Sequence, residues 1–466
     1  MAQIPRVVVS APSSGHGKTA VAIGLLAAFA GRGLRAAGFK IGPDHIDAAY
    51  LGLATGRPGR NLDPQLVGAD RIAPLFAHGA AGSDLAIVEG TMGLYDGLSG
   101  RTDMVSTAGV AGVLRAPVVL VVDVSAMGQS VAALVHGFRA YDEVVWLGGV
   151  ILNRVASDRH EQLLREALDD IGVPVLGALR RRALASAGPA ALPARSLGPV
   201  PVIHQSLDAI RAVRRLGEAM RAAIDLDRVL ALARSAPTLA VDPWSPMVEG
   251  AAPGGPRPVV ALAGGPVFSY GYAETAELLA GAGADVVPVD PLREEALPDR
   301  AAALVIGGGL PESYADELAA NVRMSAAVAA MARSGRPVIA EGTGLVWLCR
   351  ELDGRPMSGV LDAAARTTDL LVIGYRDATA QAASALAGSG TRVVGYKHHR
   401  TQVAPRAGSL AAWAWPGGQP EGFVWRGVHA SYLTLHWAGT PDLARRLVTT
   451  ATAGDDVQLA LPAVPA

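Results

Sequence analysis

Nine residues, Ala11-Pro-Ser-Ser-Gly-His-Gly-Lys-Thr19, follow a short β-branched run and open an Ala/Leu-rich one. This is the strand, glycine-rich loop, helix order of a phosphate-binding loop, with Pro12 standing where the first glycine usually is. Gly15 and Gly17 let backbone N–H groups turn inward around a phosphate, and the helix N-terminus adds a favourable dipole. Lys18 has the reach to meet β- and γ-phosphates, and the Thr19 hydroxyl can ligate Mg²⁺. Ser14, Gly15, His16, Gly17, Lys18 and Thr19 are therefore the expected nucleotide contacts. A glycine turn that merely caps a helix would need neither Lys18 nor Thr19.

Carboxylates recur around that loop. Phe39–Asp47 puts Lys40, Asp44 and Asp47 in one short loop. Glu89 ends the apolar run Leu85–Glu89 and leads into Gly90–Gly97, which carries Asp96. An acid at the carboxyl end of a buried strand is where a P-loop fold keeps its metal-side carboxylate. Open α/β sheets bind their ligands at that edge. Each acid alone reads as a loop cap; three acidic segments converging on one phosphate loop read as a site. Asn153, ending Leu147–Asn153, is either a reader of an adenine edge or a turn residue. Scarcity adds weight: Lys18, Lys40 and Lys397 are the only lysines among 41 basic residues, and Asn61, Asn153 and Asn321 the only asparagines. In so Ala/Gly/Arg-biased a chain, a surviving ammonium or amide marks a position whose chemistry needs it.

The elements that position these groups alternate. Arg6–Val9, Leu85–Glu89, Pro117–Asp123, Leu147–Asn153 and Val173–Leu176 read as strands, with helices at Lys18–Gly31, Ser130–Phe138 and Asp158–Ile171. Buried strands alternating with helices predict a parallel sheet covered on both faces. Ala209–Arg234 reads as one or two amphipathic helices. Ser235–Pro258 holds six prolines and little periodicity, the signature of a linker. A second α/β pattern follows, with strands at Val259–Ala263, Asp285–Val289, Ala303–Gly307, Pro337–Ala340, Arg392–Tyr396 and Phe423–Val428. The expected organisation is an α/β P-loop parallel-sheet domain over 1–235, a linker over 236–257, a second α/β domain over 258–450 and a tail over 451–466.

Composition narrows the class. Net charge is −1 in 466 residues, which argues against nucleic-acid binding by bulk charge. Half the residues are hydrophobic and 18% charged, enough for packed cores. The single cysteine excludes an internal disulfide and a Cys-based zinc site. The longest near-apolar stretch, Ala20–Gly31, is too short for a bilayer, and no charged-then-apolar leader opens the chain. A cytoplasmic protein without membrane attachment is expected.

The ordered set of motifs resembles the cobyrinic and hydrogenobyrinic acid a,c-diamide synthase family over nearly the whole chain. The matching segments are Ala11–Thr19, Phe39–Asp47, Asn61-Leu-Asp63, Glu89–Gly97, Gly149–Arg154, Pro193-Ala-Arg195, Phe268-Ser-Tyr270, Gly307–Glu312, Gly374-Tyr-Arg376 and Ala430–Leu433. The resemblance implies a dethiobiotin-synthetase-like domain followed by a class I glutamine amidotransferase domain. It implies ATP and Mg²⁺ as cofactors and a tetrapyrrole carboxylate as substrate, and it leaves room for a homodimer. It places Thr19, Asp47 and Glu89 on the metal side, and Lys40, Asp44 and Asp96 around the carboxylate or the phosphoryl group. Chemically, ATP converts a carboxylate into an acyl phosphate, and ammonia then displaces phosphate.

Three positions depart from the family. Its members read Ala-Glu-Cys-Gly-Gly-Leu at the nucleophile turn; this chain reads Ala340-Glu-Gly-Thr-Gly-Leu345, which puts Gly342 at the nucleophile. Its Ser-Tyr-Leu-His-x-His becomes Ser431-Tyr-Leu-Thr-Leu-His436, which puts Thr434 at the assisting histidine. Its Gly-His-Glu-Phe-His becomes Gly395-Tyr-Lys-His-His399, with Lys397 at an acidic position, a sign of a rebuilt pocket. Cys349, a helical path of roughly 10 Å beyond Gly342, is too far to substitute. Thr343 lacks a base, and His436 does not occupy the place of Thr434. Adjacent His398 and His399 point to opposite faces of a strand, which disfavours a metal site. Loss of such a nucleophile costs on the order of 10⁶ in rate, so glutaminase activity is expected to be absent. Three functions remain open: an amide ligase using free ammonia or ammonia from a separate glutaminase, a ligase repurposed for another carboxylate and amine, and a non-catalytic nucleotide-binding partner.

Overall fold

The first strand, β1 (Arg6–Ser10), is buried at every residue and runs into the phosphate loop and α1 (Lys18–Ala30). The structure, a computed structural model, describes residues 3–97, 104–181, 207–247 and 257–453. These divide into two compact units, Met1–Ser245 and Pro246–Ala466. The Pro193-Ala-Arg195 match, much of the expected linker and most of the expected tail lie outside the described residues.

In the first unit the chain continues through β2 (Ala36–Ile41), α2 (His45–Thr55), β3 (Arg60–Leu62), α3 (Pro64–Val67), α4 (Ile72–Gly79) and β4 (Leu85–Glu89). It then runs through α5 (Thr107–Val113), β5 (Val118–Asp123), α6 (Ser130–Tyr141), β6 (Leu147–Val155), α7 (Asp158–Asp169), β7 (Val175–Arg180), α8 (Leu207–Ala223) and α9 (Leu226–Arg234). The seven strands form one parallel sheet in the order β3-β2-β4-β1-β5-β6-β7. The carboxyl ends of β1, β2, β4, β5 and β6 therefore share one edge, and every expected site segment of this unit emerges there. Helix α1 is apolar on nearly all sides because it lies between the sheet and α8. A Cβ at Gly24 would come within 2.7 Å of Met220, so the two helices approach too closely for a larger residue.

Strand β2 corrects the sequence reading, which placed Lys40 in a loop. Its Ala36-Ala-Gly38 start has poor strand propensity, but a Cβ at Gly38 would meet Leu51 at 2.8 Å and Leu26 at 2.9 Å. Tight packing by α1 and α2 selects small residues there and hides the strand from a propensity reading. The Pro-rich stretch is also less loose than its composition indicates. Pro237 O accepts from the buried Arg6 guanidinium at 2.7 Å, and Trp244 N donates to Pro74 O at 2.9 Å.

The second unit opens with β8 (Val259–Ala263), α10 (Ala273–Gly281), β9 (Asp285–Val289), β10 (Ala301–Ile306), α11 (Ala315–Ala320), α12 (Val322–Arg333), β11 (Val338–Glu341) and α13 (Gly344–Leu348). It continues through β12 (Glu351–Leu352), β13 (Arg355–Pro356), β14 (Ala364–Ala380), β15 (Arg392–Ala404), β16 (Trp413–Ala414), β17 (Phe423–Trp425), β18 (Val428–Ser431), β19 (Thr434–Leu435) and α14 (Asp442–Thr452). One sheet has the order β17-β18-β11-β10-β8-β9, parallel except for β17; the other is built on the long antiparallel pair β14 and β15. The run read as one strand, Phe423–Val428, is a hairpin. Arg426 turns at φ 51, and a Cβ at Gly427 would meet Gly335 O at 2.3 Å, so the chain reverses there. Strand β14 escaped the sequence reading because its pairing slips between Thr367 and Val372, which breaks the alternation. Among the described residues no helix is long and apolar enough to cross a membrane.

Candidate active site

The phosphate loop takes the backbone its glycines permit. Gly15 and Gly17 sit at φ 94 and 93, and Gly17 caps α1. A Cβ at Gly15 would touch nothing within 4 Å, so glycine is needed there for conformation rather than space. His16 is held from both sides. Its Nδ1 accepts from Asp123 N at 2.8 Å, which leaves the ring proton on Nε2, and its carbonyl accepts from Asn153 Nδ2 at 2.8 Å. Burial lowers the His16 pKa, against an opposing pull from Asp123. The shift and the Nδ1 acceptor bond both favour the neutral imidazole. Asn153 is a brace between β6 and the loop, with its Oδ1 accepting from Arg154 N at 2.9 Å. These bonds use one amide proton and one oxygen lone pair of Asn153.

Beside the loop lies a buried charge cluster. Lys40 Nζ sits 2.8 Å from Glu89 Oε1 and 2.7 Å from Asp47 Oδ2, and it donates to Gly90 O at 3.1 Å. The Thr19 hydroxyl donates to the same Glu89 oxygen. Burial disfavours the Lys40 charge, but Glu89, Asp47 and Asp44 outweigh it and raise its pKa. Burial, reinforced by Asp47 and opposed by Lys40, pushes Glu89 up to about 7. The three sequence-predicted residues come from a strand and a capped helix rather than one loop. Lys40 lies next to the end of β2, Asp44 caps α2 by accepting from Ile46 N and Asp47 N, and Asp47 lies in the first turn of α2. Asp96 accepts from Gly93 N at 2.8 Å and folds the Gly90–Gly97 segment, whose Leu94 N donates to Ala11 O at 2.9 Å. Asp96 thereby shapes the segment against the phosphate loop.

These donors fit a magnesium ion. Glu89 Oε2 is buried without a hydrogen-bond partner, and the Thr19 hydroxyl is bonded to the same carboxylate. Mg²⁺ takes one or two protein carboxylates together with phosphate oxygens. Among the described residues no group of three or more His, Cys, Asp or Glu forms a metal site of protein ligands alone.

Two supporting residues carried little or no sequence signal as site parts. Thr107 Oγ1 accepts from Thr91 N and donates to Thr91 O, both at 3.1 Å, which fixes the backbone next to Gly90. Asn61 Nδ2 donates to Gly42 O at 2.7 Å and Asp44 O at 3.0 Å. Asparagine scarcity pointed at Asn61; nothing singled out Thr107.

In the second unit Gly342 follows β11 at φ 56, on a tight strand-to-helix turn. A Cβ there would meet Thr434 Oγ1 at 2.8 Å and Gly308 Cα at 3.2 Å. The two substituted positions thus face each other, and neither carries a nucleophile–base pair. Thr343 Oγ1 is occupied by Gly309, accepting from its N and donating to its O at 2.7 Å each. Cys349 is buried among apolar side chains, which pushes its thiol up to about 12. His436 is buried, stacked on Tyr272 at 4.1 Å, with Nε2 3.7 Å from Glu274 Oε2. Glu341 accepts from Trp437 Nε1 at 2.9 Å, and burial raises it to about 7 against that bond.

Lys397 does not rebuild the face that Thr434 occupies. Tyr396, its neighbour, is the residue paired with Thr434, so the Lys397 side chain points to the opposite, buried face of β15. There it pairs with Glu421 and lies over Trp415 at 5.2 Å and Tyr432 at 5.5 Å. His399 shares that face, stacked on Tyr432 at 3.7 Å with Nδ1 2.8 Å from Thr401 O, while His398 points away.

Residues 7–191 match the CobQ/CobB/MinD/ParA nucleotide binding domain family, and residues 259–441 match the CobB/CobQ-like glutamine amidotransferase domain family. The chain is 54% identical to a hydrogenobyrinate a,c-diamide synthase of Streptomyces coelicolor, over 96% of this chain and 97% of that protein. It is 48% identical to one of Thermobifida fusca, over 96% of each chain. A cobyrinate a,c-diamide synthase of Gloeobacter violaceus is 38% identical, over 95% of this chain and 96% of that one.

Proposed function

The chain belongs to the hydrogenobyrinate and cobyrinate a,c-diamide synthase family, and from that premise we propose that it is an ATP-dependent ligase amidating a tetrapyrrole carboxylate with free or externally supplied ammonia. The observation that carries the reading is a contrast between the two units. The Thr19–Glu89–Lys40–Asp47 cluster joins a hydroxyl, an ammonium and two carboxylates, whereas the turn at Gly342 faces Thr434 and the Gly308 backbone. A nucleotide-binding partner without catalysis would not need a lysine buried between two carboxylates.

The substrate carboxylate oxygen attacks the γ-phosphorus of ATP, and the bond to the β-bridging oxygen breaks to release ADP. Ammonia then adds to the acyl carbon, phosphate leaves, and a proton is lost to give the amide. Lys18 and the loop N–H groups offset charge on the transferring phosphoryl group. Lys40 holds Glu89 and Asp47 at fixed separation, and His16 keeps the loop against β5. Thr19, Glu89 and Asp47 would hold Mg²⁺, which when bound neutralises phosphate charge. Asp44 and Asp96 order the two segments that flank the acceptor carboxylate.

The test supplies purified protein with Mg²⁺-ATP, hydrogenobyrinic or cobyrinic acid, and either ammonium or glutamine, and weighs the products. Diamide with ammonium and none with glutamine is the expected result. Product from glutamine alone would overturn the ammonia reading. Absence of product with both donors would turn attention to a different carboxylate and amine.

A further inference from the structure

A buried amide on β3 bonds the turn that joins Lys40 to Asp47 without touching either side chain's charge. Asn61 is 3% exposed and lies beside Lys40 in the β2–β3 register. Its amide group donates to two carbonyls of the next turn, Gly42 O at 2.7 Å and Asp44 O at 3.0 Å. That turn leaves β2 immediately after Lys40 and Ile41, passes through Gly42 at φ 86, and starts α2 at His45. It is also the only covalent path from the lysine to Asp47, whose carboxylate lies 2.7 Å from Lys40 Nζ. Asp44 uses its side chain on Ile46 N and Asp47 N, so its backbone carbonyl is the handle by which the turn is held from outside. A second bond ties the turn at its start, Gly42 N to Leu62 O at 3.1 Å.

We propose that Asn61 is a positioning residue that sets where α2 begins and so holds Asp47 within reach of Lys40. The inference deepens the ligase reading and rests on it for the kinetic readout alone. The chemistry requires an amide. A carboxylate at this position has the same shape but offers no donors and faces two carbonyl oxygens. A leucine leaves both carbonyls buried without a partner. The phosphate loop joins β1 to α1, so nucleotide binding measured without Mg²⁺ does not depend on this turn.

The experiment compares the full chain with Asn61→Leu and Asn61→Asp. Three quantities are read: ammonium-dependent kcat, the Kd of a non-hydrolysable ATP analogue measured without Mg²⁺, and hydrogen exchange of the peptide covering residues 42–50. The expected result is a kcat lower by at least about tenfold, since a displacement near 1 Å at a reacting centre is enough for that. The nucleotide Kd stays unchanged, and exchange accelerates in residues 42–50 while the rest of the first unit keeps its protection. Accelerated exchange throughout the unit, with nucleotide affinity falling in parallel, would mean a role in stability alone and overturn the proposal. Unchanged kcat or unchanged exchange at 42–50 would overturn it too. If neither variant accumulates as folded protein, Asn61→Ser, which keeps one short donor, is read against the same outcomes. A wild-type chain with no amidation sinks the ligase reading, while the exchange measurement still decides the role of Asn61.

Discussion

Lys40 carries the most consequence of any single side chain here. It is almost fully buried, and its ammonium offsets the charges of Glu89 and Asp47 at 2.8 and 2.7 Å. Removing one member of a buried charge group leaves the others uncompensated, at a cost of about 3–5 kcal/mol. Lys40→Met is therefore expected to lower the urea midpoint sharply and to abolish amidation. Lys40→Met combined with Glu89→Gln removes one unpaired charge and is expected to regain part of the stability but none of the activity. Equal midpoints for the single and double variants would show that the cluster is not coupled as the distances imply. The sequence marked Lys40 by scarcity and by its neighbours. It could not show which of the nearby acids the ammonium would touch, because those contacts join β2, α2 and β4.

At the scale of elements, the turn between β11 and α13 decides the fate of the second unit. Gly342 holds φ 56, a region that costs a side-chain-bearing residue of order 1–3 kcal/mol. A Cβ there would also crowd Thr434. Gly342→Cys alone is expected to fold less stably and to release no glutamate from glutamine. Gly342→Cys with Thr434→His places a thiol and an imidazole on the two facing positions, and measurable glutamate release above the single variant is expected. Equal, background release from both variants would mean that the surrounding pocket, and not just the pair, has lost glutamine hydrolysis. The loss of the two side chains was legible in the sequence through the motif alignment. That they face each other followed from the tertiary packing around the turn, and that Lys397 lies on the other side of β15 followed from strand register.

Over the whole molecule, two units with separate cores share one chain. The match to a nucleotide binding domain family, residues 7–191, lies in the first. A ligand at about 100 times its Kd stabilises the state that binds it by about 2.7 kcal/mol. Mg²⁺ with a non-hydrolysable ATP analogue is therefore expected to slow hydrogen exchange across Met1–Ser245 and to leave β8–β11 unaltered. Equal protection of both units would show that they unfold as one cooperative body.

What the sequence by itself determined is whatever depends on local order along the chain. The phosphate loop between strand and helix, the acid closing β4, the two α/β patterns and the glycine at position 342, where the resemblance expects a nucleophile, are all of this kind, because spacing and side-chain type suffice to state them. The tertiary structure alone decided which groups meet. Strand β2 was masked by the small residues its packing demands, and the β17–β18 hairpin by apolar residues on both sides of the two-residue turn Arg426-Gly427. Asn153 braces the loop because His16 O, 137 positions away in the chain, comes within bonding distance of its amide. Such contacts depend on strand order and register, which link residues tens of positions apart and leave no periodic trace in the chain.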